Sequence, residues 1–211
     1  MQPEVYISVD VETAGPIPAQ YALLSIGASL VEDPSTGFYV ELKPDRDDFT
    51  PEAMAIGGFS LEDLKESGAA PKDAMQAFAE WVKRVVLAGQ RPVFVAFNAP
   101  FVWSFVNDYF YRYLGENPFG HSALDIKAYY MGLTGVTWAE TSMQHVTAHI
   151  AEEKHLTHNA LSDAQDQAEI FRLILGITSR WWAEGDRRVM ESDPNSEGSS
   201  TKFISNTKSQ S

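Results

Sequence analysis

Residues 4–11, 22–31 and 37–43 are rich in β-branched and aromatic side chains and are separated only by short polar breaks, a spacing that limits the fold more than any other feature. Three strands in such quick succession predict an antiparallel meander. A polar turn, Asp45-Arg46-Asp47-Asp48, follows. Ala74, Phe78, Trp81, Val82 and Val85 then recur at helical spacing within 71–88, and 92–97 reads as a short buried strand. The order strand, helix, strand predicts a fourth strand parallel to the first, reached by a right-handed crossover. The C-terminal ends of the first and fourth strands would then meet at one edge of the sheet, where open α/β sheets bind ligands. Helices expected near 101–114, 126–132, 141–150 and 163–176 complete an α/β domain.

Composition sets the outer bounds. A chain of 211 residues with 44% hydrophobic content can bury one sizeable core without covalent staples. It has no cysteine, which excludes disulfides and thiolate zinc sites and is compatible with a reducing compartment. No apolar run reaches the roughly 20 residues needed to span a bilayer, and the first residues form no basic n-region, so a cytoplasmic protein without a membrane partner is expected. Residues 191–211 are rich in Ser, Asn, Thr and Lys, have little to bury, and predict a disordered tail.

Asp10 and Glu12 continue the strand Val5-Tyr6-Ile7-Ser8-Val9. Residues two apart on a strand point the same way, so the two carboxylates converge on one face. Like charges held together at the end of an apolar strand raise each other's pKa unless a cation neutralises them. Short acidic oxygen ligands suit Mg²⁺ or Mn²⁺. Farther on, Asp163 opens a segment in which Ala164, Ala168, Phe171 and Leu175 recur at helical spacing, and Ser162 with Gln165 reads as a capping box. A first-turn carboxylate stays ionised in the helix dipole, as a metal ligand must. His158 precedes it in an irregular stretch, and an imidazole with an unperturbed pKa of about 6.5 can take a proton from water near neutrality. Singly, these residues read equally well as a solvated strand end, a helix-start charge and a loop histidine. Their company in one chain points to a metal-assisted site.

With these segments, the sequence resembles the DEDDh 3′-to-5′ exonucleases, the DnaQ-like or ribonuclease T-like group of the ribonuclease H-like superfamily, over residues 4–176. Val9-Asp10-Val11-Glu12-Thr13-Ala14-Gly15 is similar to the first motif of that family, Val95-Ala96-Phe97-Asn98-Ala99-Pro100-Phe101 to the second, and His158-Asn159-Ala160-Leu161-Ser162-Asp163-Ala164 to the third. Leu124-Asp125-Ile126 resembles a family strand that ends near an Asp. The resemblance implies a ribonuclease H-like fold: a central mixed sheet, three antiparallel strands then parallel ones, flanked by helices. It implies an exonuclease-like domain over 1–180 with a C-terminal extension over 181–211. It also implies a two-ion Mg²⁺ or Mn²⁺ site, with Asp10, Glu12 and Asp163 holding metal and His158 as general base. Thr13, Asn98 and Phe101 are the implied substrate-binding positions.

The second motif departs where an Asp normally follows the Phe, because the chain there reads Val102. A second ion would then keep only Asp10 and water. Asp108, six residues on, lies about 9 Å along the helix and some 240° around it, too far to substitute. The sequence leaves three readings open: a weakened enzyme, a noncatalytic module that binds nucleic-acid 3′ ends or a protein partner, or a substituted form of an active parent.

A formal charge of −13 disfavours long duplex, which a nonspecific binder usually grips through a basic face. Single-stranded RNA or DNA 3′ ends and short oligonucleotides fit better, because cations can supply countercharge at the scissile phosphate. Lys127, Lys154, Arg112 and Arg172 are candidates for a positive rim. Phe101 and Phe105, four apart, are expected to face the core, and Trp103 to pack there or stack on a base. His145 and His149 have a zinc-compatible spacing without the accompanying Glu. Trp181-Trp182 could be core, but two adjacent rings cannot both face inward on one helix stripe, and for the other the resemblance implies a homodimer contact.

Overall fold

The computed structural model describes residues 2–150 and 158–192, with side chains described to residue 178. Residues 1–175 form one compact unit and 176–211 a second. In the first, strands β1 (Glu4–Thr13), β2 (Leu23–Leu30) and β3 (Gly37–Glu41) form the expected meander. Helices α1 (Pro51–Gly57), α2 (Leu61–Ser67) and α3 (Pro71–Val85) lead to β4 (Arg91–Ala96). Helix α4 (Ala99–Leu114), strand β5 (Ala123–Asp125) and helix α5 (Ile126–Thr134) follow. A 3₁₀ turn (Trp138–Thr141), α6 (Met143–Ile150) and α7 (Ala160–Ser192) complete the described elements.

The sheet order is β3-β2-β1-β4-β5, antiparallel across β1–β2–β3 and parallel across β1–β4–β5. Its two faces are covered by different helices. Ile7, Val9 and Val11 point to one face, where Phe78 and Trp81 of α3 and Phe105 and Phe110 of α4 are buried against them. On the other face Tyr6 and Val95 pack with Ile126 and Tyr130 of α5, Val146 of α6 and Phe171 of α7. Asp10 and Glu12, in step with Tyr6 and Ser8, belong to this second face by strand alternation.

Helix termini follow their local chemistry. Thr50 and Ser60 cap α1 and α2 through their hydroxyls, each accepting a backbone N–H three residues on. The helix expected over 141–150 is α6, which begins two residues later, after a separate 3₁₀ turn. A Thr137/Glu140 capping box, in which Glu140 accepts from Thr137 N–H, starts the chain turning earlier. Among the described residues no helix is long and apolar enough to cross a membrane.

Candidate active site

Asp10 and Glu12 lie where β1 outruns β4. The parallel ladder between these strands ends at Ser8↔Val95, so Asp10 stands level with Phe97, just beyond the end of β4. On the other side Asp10 pairs with Gly27 and Glu12 with Ser25 of β2. A Cβ at Gly27 would lie 2.1 Å from the carbonyl carbon and oxygen of Ala160 and 2.2 Å from the nitrogen of Leu161. The bare glycine thus lets the first turn of α7 rest directly on β2 beside Asp10. That contact brings the late motif to the early one.

Asn159, not Ser162, caps α7: its Oδ1 accepts from Ser162 N–H at 3.1 Å. The expected Ser162/Gln165 box does not form, because Gln165 reaches across to donate to the carbonyl of Pro34. Asp163 nevertheless falls in the first turn as expected. Replacing Asn159 with alanine is expected to cost about 1 kcal/mol and lower the melting temperature by roughly 2–4 °C, which thermal unfolding checks.

One ligand atom each from Glu12, His158 and Asp163 lie within 4.8 Å of one another. Asp163 is almost fully buried, Glu12 partly so, and His158 exposed. His158 adopts φ 56°, a left-handed conformation that non-glycine residues rarely accept and that tends to occur at functional sites. Asp10 stands outside this 4.8 Å group but close enough to couple to it electrostatically. Its pKa is pushed up to about 8 by burial and then by the charge of Glu12, with Gln167 and Asp163 acting in opposite directions. Glu12 is pushed up to about 7, by burial first and Asp163 second. Among the described residues neither Asp10 nor Glu12 is ion-paired with Lys or Arg. Crowded carboxylates beside an imidazole form a donor set that fits a hard divalent cation.

Two polar residues organise this end of the sheet: Gln167, which sequence reasoning did not single out, and Asp125, the expected acidic residue at the end of β5. Gln167, one helical turn beyond Asp163, donates Nε2–H to Asp10 Oδ1 at 3.0 Å and accepts Phe97 N–H at 2.8 Å. The i,i+4 spacing from Asp163 was the signal available for it. Asp125 accepts Ala99 N–H at 2.6 Å through Oδ2 and Ala128 N–H at 2.7 Å through Oδ1, capping α4 and α5 together. Asn98 occupies the N-cap position of α4 without a side-chain cap, in a left-handed conformation.

The implied substrate positions separate. Thr13 and Phe101 line a largely apolar cavity of about 450 Å³ with Glu12, Gly15, Thr50 and Ile56. Asn98 is exposed and not among the residues lining that cavity. Phe105 is core, whereas Phe101, expected there too, is only partly buried because its position near the start of α4 overlooks the cavity. Trp103 packs edge-on against Phe94 at 5.1 Å, the core arrangement. Val102 is buried in the apolar cluster between α4 and the sheet. Asp108 cannot stand in for the missing carboxylate, since it accepts from Arg112 on its own helix.

The candidate positive rim does not gather here. Arg112 bridges Asp45 and Asp108, Lys127 lies over the Trp138 ring, and Arg172 lines a different cavity with Glu4 and Tyr6 at the start of β1. Lys154 lies outside the described residues, as do the side chains of Trp181 and Trp182. His145 and His149 bond within their own segment, to Ser142 Oγ and to the carbonyl of His145, and join no metal-type cluster among the described residues.

A meander that switches to a parallel crossover, with acidic residues at the end of its central strand, defines a ribonuclease H-like domain of the DEDDh exonuclease type. The chain belongs to the RNase T exonuclease family, whose model matches residues 7–171. It is 50% identical over 171 residues to the 3′-5′ DNA exonuclease Cap18 of Escherichia coli, covering 81% of this chain and 91% of that protein. Solved structures with the same fold include the nuclease domain of the DEDDh family member 3′hExo bound to rAMP (TM-score 0.65, 13% identity, 82% of this chain and 91% of that one). They also include E. coli Exonuclease I in its zinc-bound complex with single-stranded DNA (TM-score 0.64, 18% identity, 87% of this chain). The chain spans 43% of the length of Exonuclease I.

Proposed function

We propose that this chain is a divalent-metal-dependent 3′-5′ exonuclease acting on single-stranded or short 3′ ends, DNA foremost. The observation that carries the reading is the convergence of Glu12, His158 and Asp163 within 4.8 Å, beside Asp10. The DNA preference is supported by the name of the E. coli relative, at 50% identity. In this reading Asp10, Glu12 and Asp163 hold Mg²⁺ or Mn²⁺. Such an ion lowers the pKa of a coordinated water and polarises the phosphoryl oxygen. His158, exposed at the rim, takes the proton of the attacking water and passes it to solvent. Thr13 and Phe101 offer the terminal nucleotide a largely apolar seat next to Glu12.

Burial of Val102 in the apolar cluster supports the second reading, a noncatalytic module that grips 3′ ends, because one carboxylate of the two-ion arrangement is absent. End-labelled DNA and RNA oligomers incubated with Mn²⁺ or Mg²⁺ separate the two. The expected result is stepwise shortening by the protein as it stands, stopped by EDTA, and at least about tenfold faster in Val102→Asp at limiting metal, the scale on which a metal's supporting groups act. Shortening only in Val102→Asp would favour the binding module. No shortening by either form would end the enzymatic reading.

A further inference from the structure

We infer that Gln167 is a positioning residue for Asp10, holding the carboxylate in its cation-binding orientation through an amide whose direction is fixed by the backbone. The inference rests on the metal-site reading above. Gln167 is 1% exposed, so its amide must find both a donor and an acceptor inside the protein. Phe97 N–H, left over where β4 ends, can be met only by the amide oxygen. The nitrogen is thereby committed to donating, and Asp10 Oδ1 receives it at 3.0 Å. A flipped amide would set an N–H against an N–H and an oxygen against a carboxylate, so one arrangement remains.

The consequence is mechanical as well as electrostatic. Asp10 is on β1, Phe97 at the junction of β4 and α4, and Gln167 on the helix that carries Asp163. One side chain therefore spaces three of the site's elements and denies Asp10 the rotamers that turn it away from Glu12 and Asp163. Partners that orient a metal-binding carboxylate typically contribute about 10–100-fold to metal affinity.

The test titrates Mn²⁺ calorimetrically into the full chain and into Gln167→Met, with Gln167→Leu as a second apolar replacement and Asp163→Asn as the reference for a lost ligand. Each form is also melted without metal. The expected result is Mn²⁺ uptake by the unmodified protein and affinity lower by about 10–100-fold in both Gln167 variants. The metal-free melting temperature should fall only a few degrees. The Mn²⁺ concentration for half-maximal trimming should rise in parallel, while the rate at saturating Mn²⁺ stays within a few-fold. A lower melting temperature with unchanged Mn²⁺ affinity assigns Gln167 a purely structural part and overturns the inference. No Mn²⁺ uptake by the unmodified protein removes the metal-site reading itself, and the positioning role with it.

Discussion

Gly27→Ala is expected to lower stability by about 1–3 kcal/mol, the usual range for overpacking, and to reduce exonuclease activity by as much as about a hundredfold. The atoms a new Cβ would strike, at 2.1–2.2 Å, are all backbone of Ala160 and Leu161, so no side chain can rotate away to make room. The first turn of α7 must lift instead. Asp163 and His158 ride on that turn or just before it, whereas Asp10 and Glu12 stay on β1. A displacement near 1 Å between the two halves of the site is the scale at which catalytic geometry fails. Thermal unfolding and trimming of an end-labelled oligomer measure the two effects. An alanine variant with the original melting temperature and rate would show that the close approach of α7 to β2 is not what aligns the site.

Metal-free protein is expected to lose stability as pH rises from about 5 to about 8.5, and to bind Mn²⁺ more tightly over the same interval. Asp10 and Glu12 have folded pKa values pushed up to about 8 and about 7, against ordinary values near 3.9 and 4.3. A carboxyl group whose pKa is raised on folding binds its proton more tightly in the native state. Between the two values the native state therefore holds protons that the unfolded chain has released, and stability falls with pH through that window. The favourable part is fully present below the unfolded pKa and is gone once pH passes the folded one. The combined swing is on the order of a few kcal/mol after allowance for solvent around Glu12. A bound cation reverses the slope because it must displace those protons, so calorimetry near pH 7 in buffers of different ionisation enthalpy should register proton release. Asp10→Asn should flatten much of the metal-free pH dependence. A metal-free melting temperature that stays level from pH 5 to 8.5 would contradict the crowding of these carboxylates.

The parts of this protein legible in its sequence are those whose cause is local. Alternation along Val5–Glu12 and the helical repeat of Ala74, Phe78 and Trp81 report a strand and a helix directly, and the meander-then-crossover topology follows from their order. The gathering of Glu12, His158 and Asp163 was legible only from their company in one chain, since each alone has an ordinary reading. What escaped depended on partners distant in the chain. Gly27 looks like an ordinary small residue in a strand until Ala160 is set on top of it. Gln167 looks like a surface glutamine until Phe97 and Asp10 close around it. The start of α7 was misplaced by three residues because Asn159 and Ser162 are both good cap formers. Only the reach of Gln165 to Pro34, 131 positions earlier, removed its partner from the rival box.

The distance along the chain between the two halves of the site has its own consequence. During synthesis β1 emerges first, yet Asp163 and Gln167 arrive only after some 150 further residues have been added. A nascent chain that has not yet reached α7 therefore carries an acidic strand end without the His158, Asp163 and Gln167 side chains that gather beside it in the folded protein.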